Sequence, residues 1–434
     1  MTASPAKPPH PLTFHNFRAY LAGRLCFTLA QSAMMIVLGW QTYNIARLEM
    51  GTKAAAAQLG LVGLAQFLPL FFLTPVSGWV ADRFERRLIV RFTMVLFGIC
   101  TAILGVATYE GWISLPLIFS VATLLGVVRA FNGPAMGALA ANIIPRDVLP
   151  SAIALSSAAW QCAAIVGPAV GGYVYAIEPF AAYLYSGSMA GIALIMLMLI
   201  GKVDQPAHDR RRHPIRQMLD GIAYVRGNRL VLAAITLDLF AVLLAGATAL
   251  LPVYARDILQ VGSRGLGHLA AAPAVGAAVT ALYFSVRPLK SEVGLKMLVA
   301  VIVFGLATVS FGMTAFVPRG IAMPMALASM VVWGCADMFS VYVRTSLIQL
   351  HTPDEMRGRV QSVSQMTISA SNELGEAESG FLAALVGPVT AVVAGGVGAI
   401  IITILWARLF PELRLARSFD PPDIRKADPE HQPR

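Results

Sequence analysis

The sequence predicts an all-α membrane protein, with twelve transmembrane helices in two pseudo-symmetric six-helix bundles. Three observations predict it. The 434 residues are 57% hydrophobic and only 13% charged, whereas a soluble protein carries about 25% charged residues. The apolar residues fall in runs of about 20, the length a helix needs to cross a bilayer. The runs are also continuous, as over residues 192–200, where a barrel strand would alternate apolar with polar residues. Lipid leaves the backbone only helix or closed barrel, so helix is the assignment.

The elements follow in chain order. Residues 1–19 are polar and proline-rich without a cleavage-site pattern, so the first apolar run is expected to be retained as a span. The first bundle, 20–201, has spans at 20–45, 58–80, 88–108, 115–139, 152–176 and 181–200. A polar central loop, 202–229, holds Arg210, Arg211, Arg212 and His213. An amphipathic piece at 215–225 follows, expected along the cytoplasmic membrane surface. The second bundle, 230–410, has spans at 230–254, 265–286, 295–316, 323–346, 360–385 and 389–410, and a tail closes the chain at 411–434.

The net charge of +10 sits largely in short connections. That is the positive-inside pattern rather than a nucleic-acid footprint. Loops at 83–87, Arg146, 210–216, 287–290 and 357–359 alternate with poorly basic ones at 109–111, 178–179 and 318–320. The basic set is expected in the cytoplasm, with both termini. Arginine outnumbers lysine, which points to a bacterial source and hence the inner membrane. Cys26, Cys100, Cys162 and Cys335 all fall inside apolar runs and are read as small buried hydrophobes.

The two halves resemble each other. Pro145-Arg146-Asp147 follows the fourth span and Pro353-Asp354-Glu355 the tenth, an offset of 208 (353 − 145). The same offset aligns Phe131 with Phe339, Leu139 with Leu347, Gly167 with Gly375 and Gly172 with Gly380. Duplicated architecture of this kind is common among transporters, which place substrate and coupling-ion sites near the bilayer midplane.

The loop after the second span reads Gly78-Trp79-Val80-Ala81-Asp82-Arg83-Phe84-Glu85-Arg86-Arg87. The fourth span contains Arg129-Ala130-Phe131-Asn132-Gly133, and the fifth Gly167-Pro168-Ala169-Val170-Gly171-Gly172. On these motifs the chain resembles the major facilitator superfamily over nearly its whole length. Gly78, Asp82, Arg83, Arg86 and Arg87 match its cytoplasmic gating loop, with Glu85 where the family has glycine. Arg129 matches its arginine motif, with Asn132 in place of glutamine. Gly167, Pro168, Gly171 and Gly172 match its exporter and antiporter signature, although Ala154 and Ala163 replace that signature's two upstream glycines. Phe17-Arg18, the segment PDEMRGR from Pro353 to Arg359, and residues 372–380 are similar to the bacterial group that contains the enterobactin exporter. That group carries siderophore and drug exporters.

Ionisable residues inside spans cost roughly 2.5–3.5 kcal/mol each on insertion scales and face a cavity or a partner. Five stand out: Arg129, Asp238, Asp337, Glu373 and Glu376. The resemblance makes Arg129 a candidate for proton coupling, the alternative being an arginine bonded to backbone carbonyls. Asp337 occupies the repeat-related position. Arg344 follows it on the same face, nearer the cytoplasm, and is expected to snorkel to the interface. Asp238 is a proton or substrate site, or a hydrogen-bonded residue at a helix contact. Glu373 lies about 20 Å into the eleventh span at ~1.5 Å per residue. It shares a face with Glu376, and such a clustered carboxylate pair is a candidate proton carrier. The alternative is a helix broken at Gly375, with the acids in outer water. Glu378 is expected to be merely solvated. Gln31, Gln66, Gln161, Gln365 and Asn372 are candidate cavity-lining residues. Trp40, Tyr43, Trp160 and Tyr342 are candidates for stacking on an aromatic substrate, although each is more simply packing or interfacial-belt material.

The expected function is proton-driven export of a small organic molecule, of siderophore or drug class, by alternating access. A monomer in the bilayer is expected. The alternatives are an importer or facilitator on the same fold, or a non-transporting membrane sensor. No phosphate-binding Gly-x-x-x-x-Gly-Lys loop, nucleophile motif or metal-ligand spacing is present, so no enzyme, cofactor or metal is expected.

Overall fold

The computed structural model describes residues 9–145, 147–201, 214–289 and 291–419. Among these the chain forms helices and no strands. In order they are α1 (His15–Glu49), α2 (Thr52–Arg83), α3 (Arg86–Tyr109), α4 (Leu115–Ile143), α5 (Leu149–Ile177), α6 (Pro179–Met198), α7 (Pro214–Gly227) and α8 (Arg229–Leu244). Then follow α9 (Leu251–Val253), α10 (Gly262–Val286), α11 (Val293–Met313), α12 (Arg319–Leu350), α13 (Asp354–Val386), α14 (Pro388–Leu409) and α15 (Pro411–Arg414). Among the described residues, eleven segments are long and apolar enough to cross a membrane. Helix α13 has the length, at 33 residues, but its carboxylates set it apart from those eleven. The molecule is thus an all-α membrane protein.

Local chemistry sets several helix ends. Proline stands in the first two positions of α4, α5, α6, α14 and α15, where its missing N–H costs nothing. Asn228 caps α8, its Oδ1 accepting from the Val231 amide at 3.1 Å. Gly387, at φ +100°, turns the chain from α13 into α14, a conformation open to glycine and strained for other residues.

The helices cluster into two compact units. Unit 1 is Met1–Glu49, Ala65–Arg211 and Val261–Ala271; unit 2 is Met50–Leu64, Arg212–Gln260 and Ala272–Arg434. The first turns of α2 therefore belong with unit 2, and the first turns of α10 with unit 1. Inside unit 1, α1 packs on α5 and α6, and α3 on α6 and α4. Inside unit 2, α8 packs on α13 and α14, and α11 on α14 and α12. This is the same pattern, element for element. Unit 1 is centred on α1, which buries Phe17, Tyr20, Phe27, Met34, Leu38 and Tyr43. Unit 2 has a core that includes Leu237, Met297, Val301, Phe304, Val343 and Leu347.

Four features depart from, or add to, the sequence expectations. The seventh span is not one helix: α8 stops at Leu244, and a 3₁₀ turn (Ala247–Leu250), α9 and a π-helical turn (Tyr254–Ile258) follow. The interruption falls where Gly246 meets α13; a Cβ there would lie 2.5 Å from the Gly375 carbonyl oxygen. Second, α13 runs unbroken through Gly375, which removes the broken-helix alternative. Third, the amphipathic α7 puts its apolar side against protein. Val225 joins Val231, Ile235, Ile348, Val360 and Val363 in a small core. Around it Asp220 pairs with Arg359 at 3.0 Å, and Tyr224 donates to the His351 carbonyl at 2.6 Å. Fourth, the start of the tail folds back. Leu413 is fully buried, and the Gly294 amide donates to the Ala416 carbonyl at 3.0 Å. The basic cluster Arg210–His213, Arg146, Lys290 and the Asp82 side chain lie outside what is described.

Candidate functional site

Every Asp and Glu that the sequence places inside a span belongs to unit 2. One of them forms a buried pair with an arginine. Asp238 of α8, 5% exposed, makes an ion pair with Arg344 of α12, 3% exposed. Leu237, Ala241, Val343 and Leu347 of the unit 2 core flank the two residues in sequence. Arg344 therefore does not snorkel. A buried opposite charge on a neighbouring helix holds it in the core, and that partner outweighs the pull of the interface. Its Nε has no acceptor among the described residues. Next along α8, Thr236 accepts from Trp406 Nε1 at 3.0 Å. Asp337, two turns from Arg344 on the same helix, is half-buried. It makes no hydrogen bond or ion pair among the described residues.

Helix α13 carries the second group. Glu373 is 3% exposed, and Glu376 and Glu378 are half-buried. Residues 373, 376, 377 and 380 share one side of a 3.6-residue helix, and that side meets the first turns of α2. A Cβ on Gly63 would sit 3.4 Å from Glu376 Cβ and 3.6 Å from its Oε2. A Cβ on Gly60 would sit 2.8 Å from the Ala377 carbonyl oxygen, and one on Gly380 would sit 2.5 Å from the Gly60 amide nitrogen. Glycine at these positions lets the two backbones touch. The acids thus lie beside a close helix crossing. Glu378 is not simply solvated: its Oε2 is enclosed and has no hydrogen-bond partner among the described residues.

The exporter signature on α5 makes the matching crossing in unit 1. Gly167 and Gly171 lie against α1, where a Cβ on Gly167 would come 2.7 Å from Ser32 Cβ and one on Gly171 3.0 Å from Ala33 Cα. Gly172 faces the first turns of α10, 2.4 Å from the Ser263 carbonyl by the same measure. Pro168 stands inside the helix. In unit 2, Gly375 lies against Val242 and Leu243 of α8 as Gly167 lies against α1.

The loop motif ties helix ends together within unit 1. Arg86 Nη1 donates to the Ala138 carbonyl and to Asn142 Oδ1, each at 3.3 Å. Arg87 pairs with Glu85 and donates to the Ile200 carbonyl at 3.0 Å, and Arg91 donates to the Leu197 carbonyl at 3.0 Å. Cations at the end of α6 complement its dipole. Glu85, where glycine is usual, has φ −64°; its backbone needs no glycine and its side chain holds Arg87. Arg83 is exposed, and Gly78 has open space around it.

Arg129 is half-buried midway along α4, between buried Val128 and Ala130. Asn132 donates to Thr93 Oγ1 at 2.9 Å and is an interior strut. Of the aromatic candidates, Trp40 and Tyr43 are buried and Tyr342 stacks on Phe284 at 4.2 Å, so all three are packed against the protein. Trp160 is exposed, as are Gln365 and Asn372; Gln31 and Gln161 are half-buried and Gln66 buried. Sequence reasoning passed over Tyr183, which donates to Gln41 Oε1 while Gln41 Nε2 donates to Thr108 Oγ1 at 3.0 Å. It also passed over Gly60 and Gly63. Their spacing of three on a span was the available signal.

The model of the Major Facilitator Superfamily matches residues 21–376. Among curated proteins, the chain is 26% identical over 420 residues to the enterobactin exporter EntS of Shigella boydii serotype 18, covering 96% of each chain. It is also 26% identical over 425 residues to the enterobactin exporter EntS of Escherichia coli O1:K1, again over 96% of each. Among solved structures, it superposes on the POT family transporter PepTSo with a TM-score of 0.73 at 11% identity, covering 94% of this chain and 99% of that one. A D-xylose-proton symporter gives 0.70 at 14% identity, over 92% and 98%. At these identities the structural likeness concerns the fold.

Proposed function

The chain belongs to the Major Facilitator Superfamily, and from that premise we propose that it exports a small organic molecule across the bacterial inner membrane in exchange for protons. The siderophore class is the first substrate to test, because the curated relatives at 26% identity are enterobactin exporters. The observation that carries the coupling is the setting of α13. An unbroken helix keeps Glu373 at 3% exposure and lays Glu376 against Gly63 of α2. A carboxyl so placed crosses a low-dielectric region cheaply when protonated and dearly when charged, which makes protonation and helix movement exchange free energy.

The remaining charges divide by role. Asp238 is held by Arg344, so it serves as a fixed ion pair. Asp337, with no ion partner among the described residues, is a second proton candidate. Arg129, half-buried in α4, is the proposed cationic member of the coupling set. The arginines Arg86 and Arg87 restrain the α2–α3 turn at the proposed cytoplasmic side.

The test is uptake of a catecholate siderophore into everted membrane vesicles under an imposed pH gradient. Gradient-dependent uptake by the wild type, abolished in Glu373→Gln or Glu376→Gln, is expected. Wild-type rates in both variants would overturn the assignment of coupling to α13.

A further inference from the structure

We propose that unit 1 carries a phospholipid site between α3 and α6, selective for an amine headgroup such as phosphatidylethanolamine. A groove of about 570 Å³ runs between these helices, from Gly98 at one end to Glu110 at the other. Gly98 opens the inner end, where a Cβ would meet nothing within 4 Å. Gly105 and Gly187 let the floor come close: a Cβ on Gly105 would lie 3.2 Å from Tyr183 Cβ, and one on Gly187 would lie 2.9 Å from Thr101 Oγ1.

The groove wall is largely apolar, and the hydroxyls of Thr101, Ser188 and Tyr183 on it are bonded within the protein. Thr101 donates to the Gly98 carbonyl and Ser188 to the Tyr185 carbonyl, at 2.8 and 2.9 Å. Tyr183 turns its hydroxyl away to Gln41. The Glu110 carboxylate is the one charged side chain on the lining. It is exposed and has no side-chain partner among the described residues.

The dimensions select the occupant. Residues 98 to 110 span about 18 Å of helix at ~1.5 Å per residue. One leaflet's hydrocarbon is about 15 Å thick, half of the ~30 Å core. Tyr109 and Trp112, both exposed beside Glu110, are the aromatic types that settle at the headgroup level. The groove thus holds an acyl chain from the headgroup level to the middle of the bilayer, and the Glu110 carboxylate meets the headgroup. A primary ammonium donates hydrogen bonds to a carboxylate, whereas the quaternary ammonium of phosphatidylcholine has no N–H and phosphatidylglycerol is a net anion.

The test is native mass spectrometry of the full chain in detergent, titrated separately with phosphatidylethanolamine, phosphatidylcholine and phosphatidylglycerol. The wild type is expected to retain one phosphatidylethanolamine about fivefold more tightly than the other two, the net worth of one hydrogen bond. Glu110→Gln is expected to erase that preference while keeping weak binding. Gly98→Phe, which fills open space without moving either helix, is expected to displace the lipid altogether. Equal retention of all three lipids by the wild type would reduce the groove to ordinary annular contact. An unchanged preference in Glu110→Gln would overturn the headgroup assignment. Undiminished retention in a folded Gly98→Phe protein, its fold confirmed by an unchanged Tm, would overturn the groove as the chain's seat.

Discussion

Helices α5 and α13 are the same piece of architecture filled with opposite chemistry. Gly167 packs on α1 and Gly375 on α8; Gly172 packs on the first turns of α10 and Gly380 on those of α2. Between the paired glycines, α5 carries Pro168 where α13 carries Glu376. The contrast extends to the units. Unit 1 braces its interior with neutral bonds, Tyr183–Gln41–Thr108 and Asn132–Thr93. Unit 2 holds an ion pair and all the carboxylates within the spans. The packing glycines recur in both halves, whereas carboxylates within the spans occur in only one of them.

Breaking the interior of each unit should separate them most. Arg344→Ala or Asp238→Ala leaves an uncompensated buried charge and is expected to cost roughly 3–5 kcal/mol. The neutral counterpart, Gln41→Leu, strands the Tyr183 hydroxyl and is expected to cost about 1–3 kcal/mol. Thermal unfolding in detergent reads both, and the apolar double variant Asp238→Leu/Arg344→Met should recover much of the loss. Equal shifts for the charged and neutral variants would erase the contrast.

The glycine crossings come next. Gly172→Leu and Gly380→Leu each drive side chain into backbone and are expected to destabilise by about 1–3 kcal/mol. Gly137→Leu, with open space around it, is the control expected to change little. A large shift in only one of the first two would show that the crossings differ in weight.

The exchange of proline for acid is a smaller matter for stability and a larger one for transport. Glu376→Gln keeps the shape of the side chain and should move the Tm little, while removing pH-gradient dependence from uptake. Pro168→Ala should leave that dependence in place. The smallest effect is expected at the α2–α3 turn. Glu85→Gly removes a partly exposed pair with Arg87, worth about 0–1 kcal/mol, and unfolding should register almost nothing.

Much of this was legible in the sequence, for physical reasons. Apolar runs of bilayer length and basic loops gave the spans, and a constant offset gave the repeat that pairs Gly172 with Gly380. Arg344 was misjudged because snorkelling is a property of one helix, whereas its fate was set by Asp238, 106 residues away (344 − 238). The seventh span was drawn as continuous because hydropathy is blind to an interruption at Ala245–Gly246, where the neighbouring Gly375 takes the space. Glu373 and Glu376 stood out as costly residues, but the placement of Glu376 against α2 depended on Gly60 and Gly63, which look ordinary until a partner backbone arrives.

The proposed coupling requires α13 to give up protons when substrate binds. Adding a catecholate siderophore to purified protein in weakly buffered solution, with a pH indicator, measures this directly. The wild type should release protons on binding, and Glu373→Gln/Glu376→Gln should bind substrate and release none. Undiminished proton release from the double variant would contradict it.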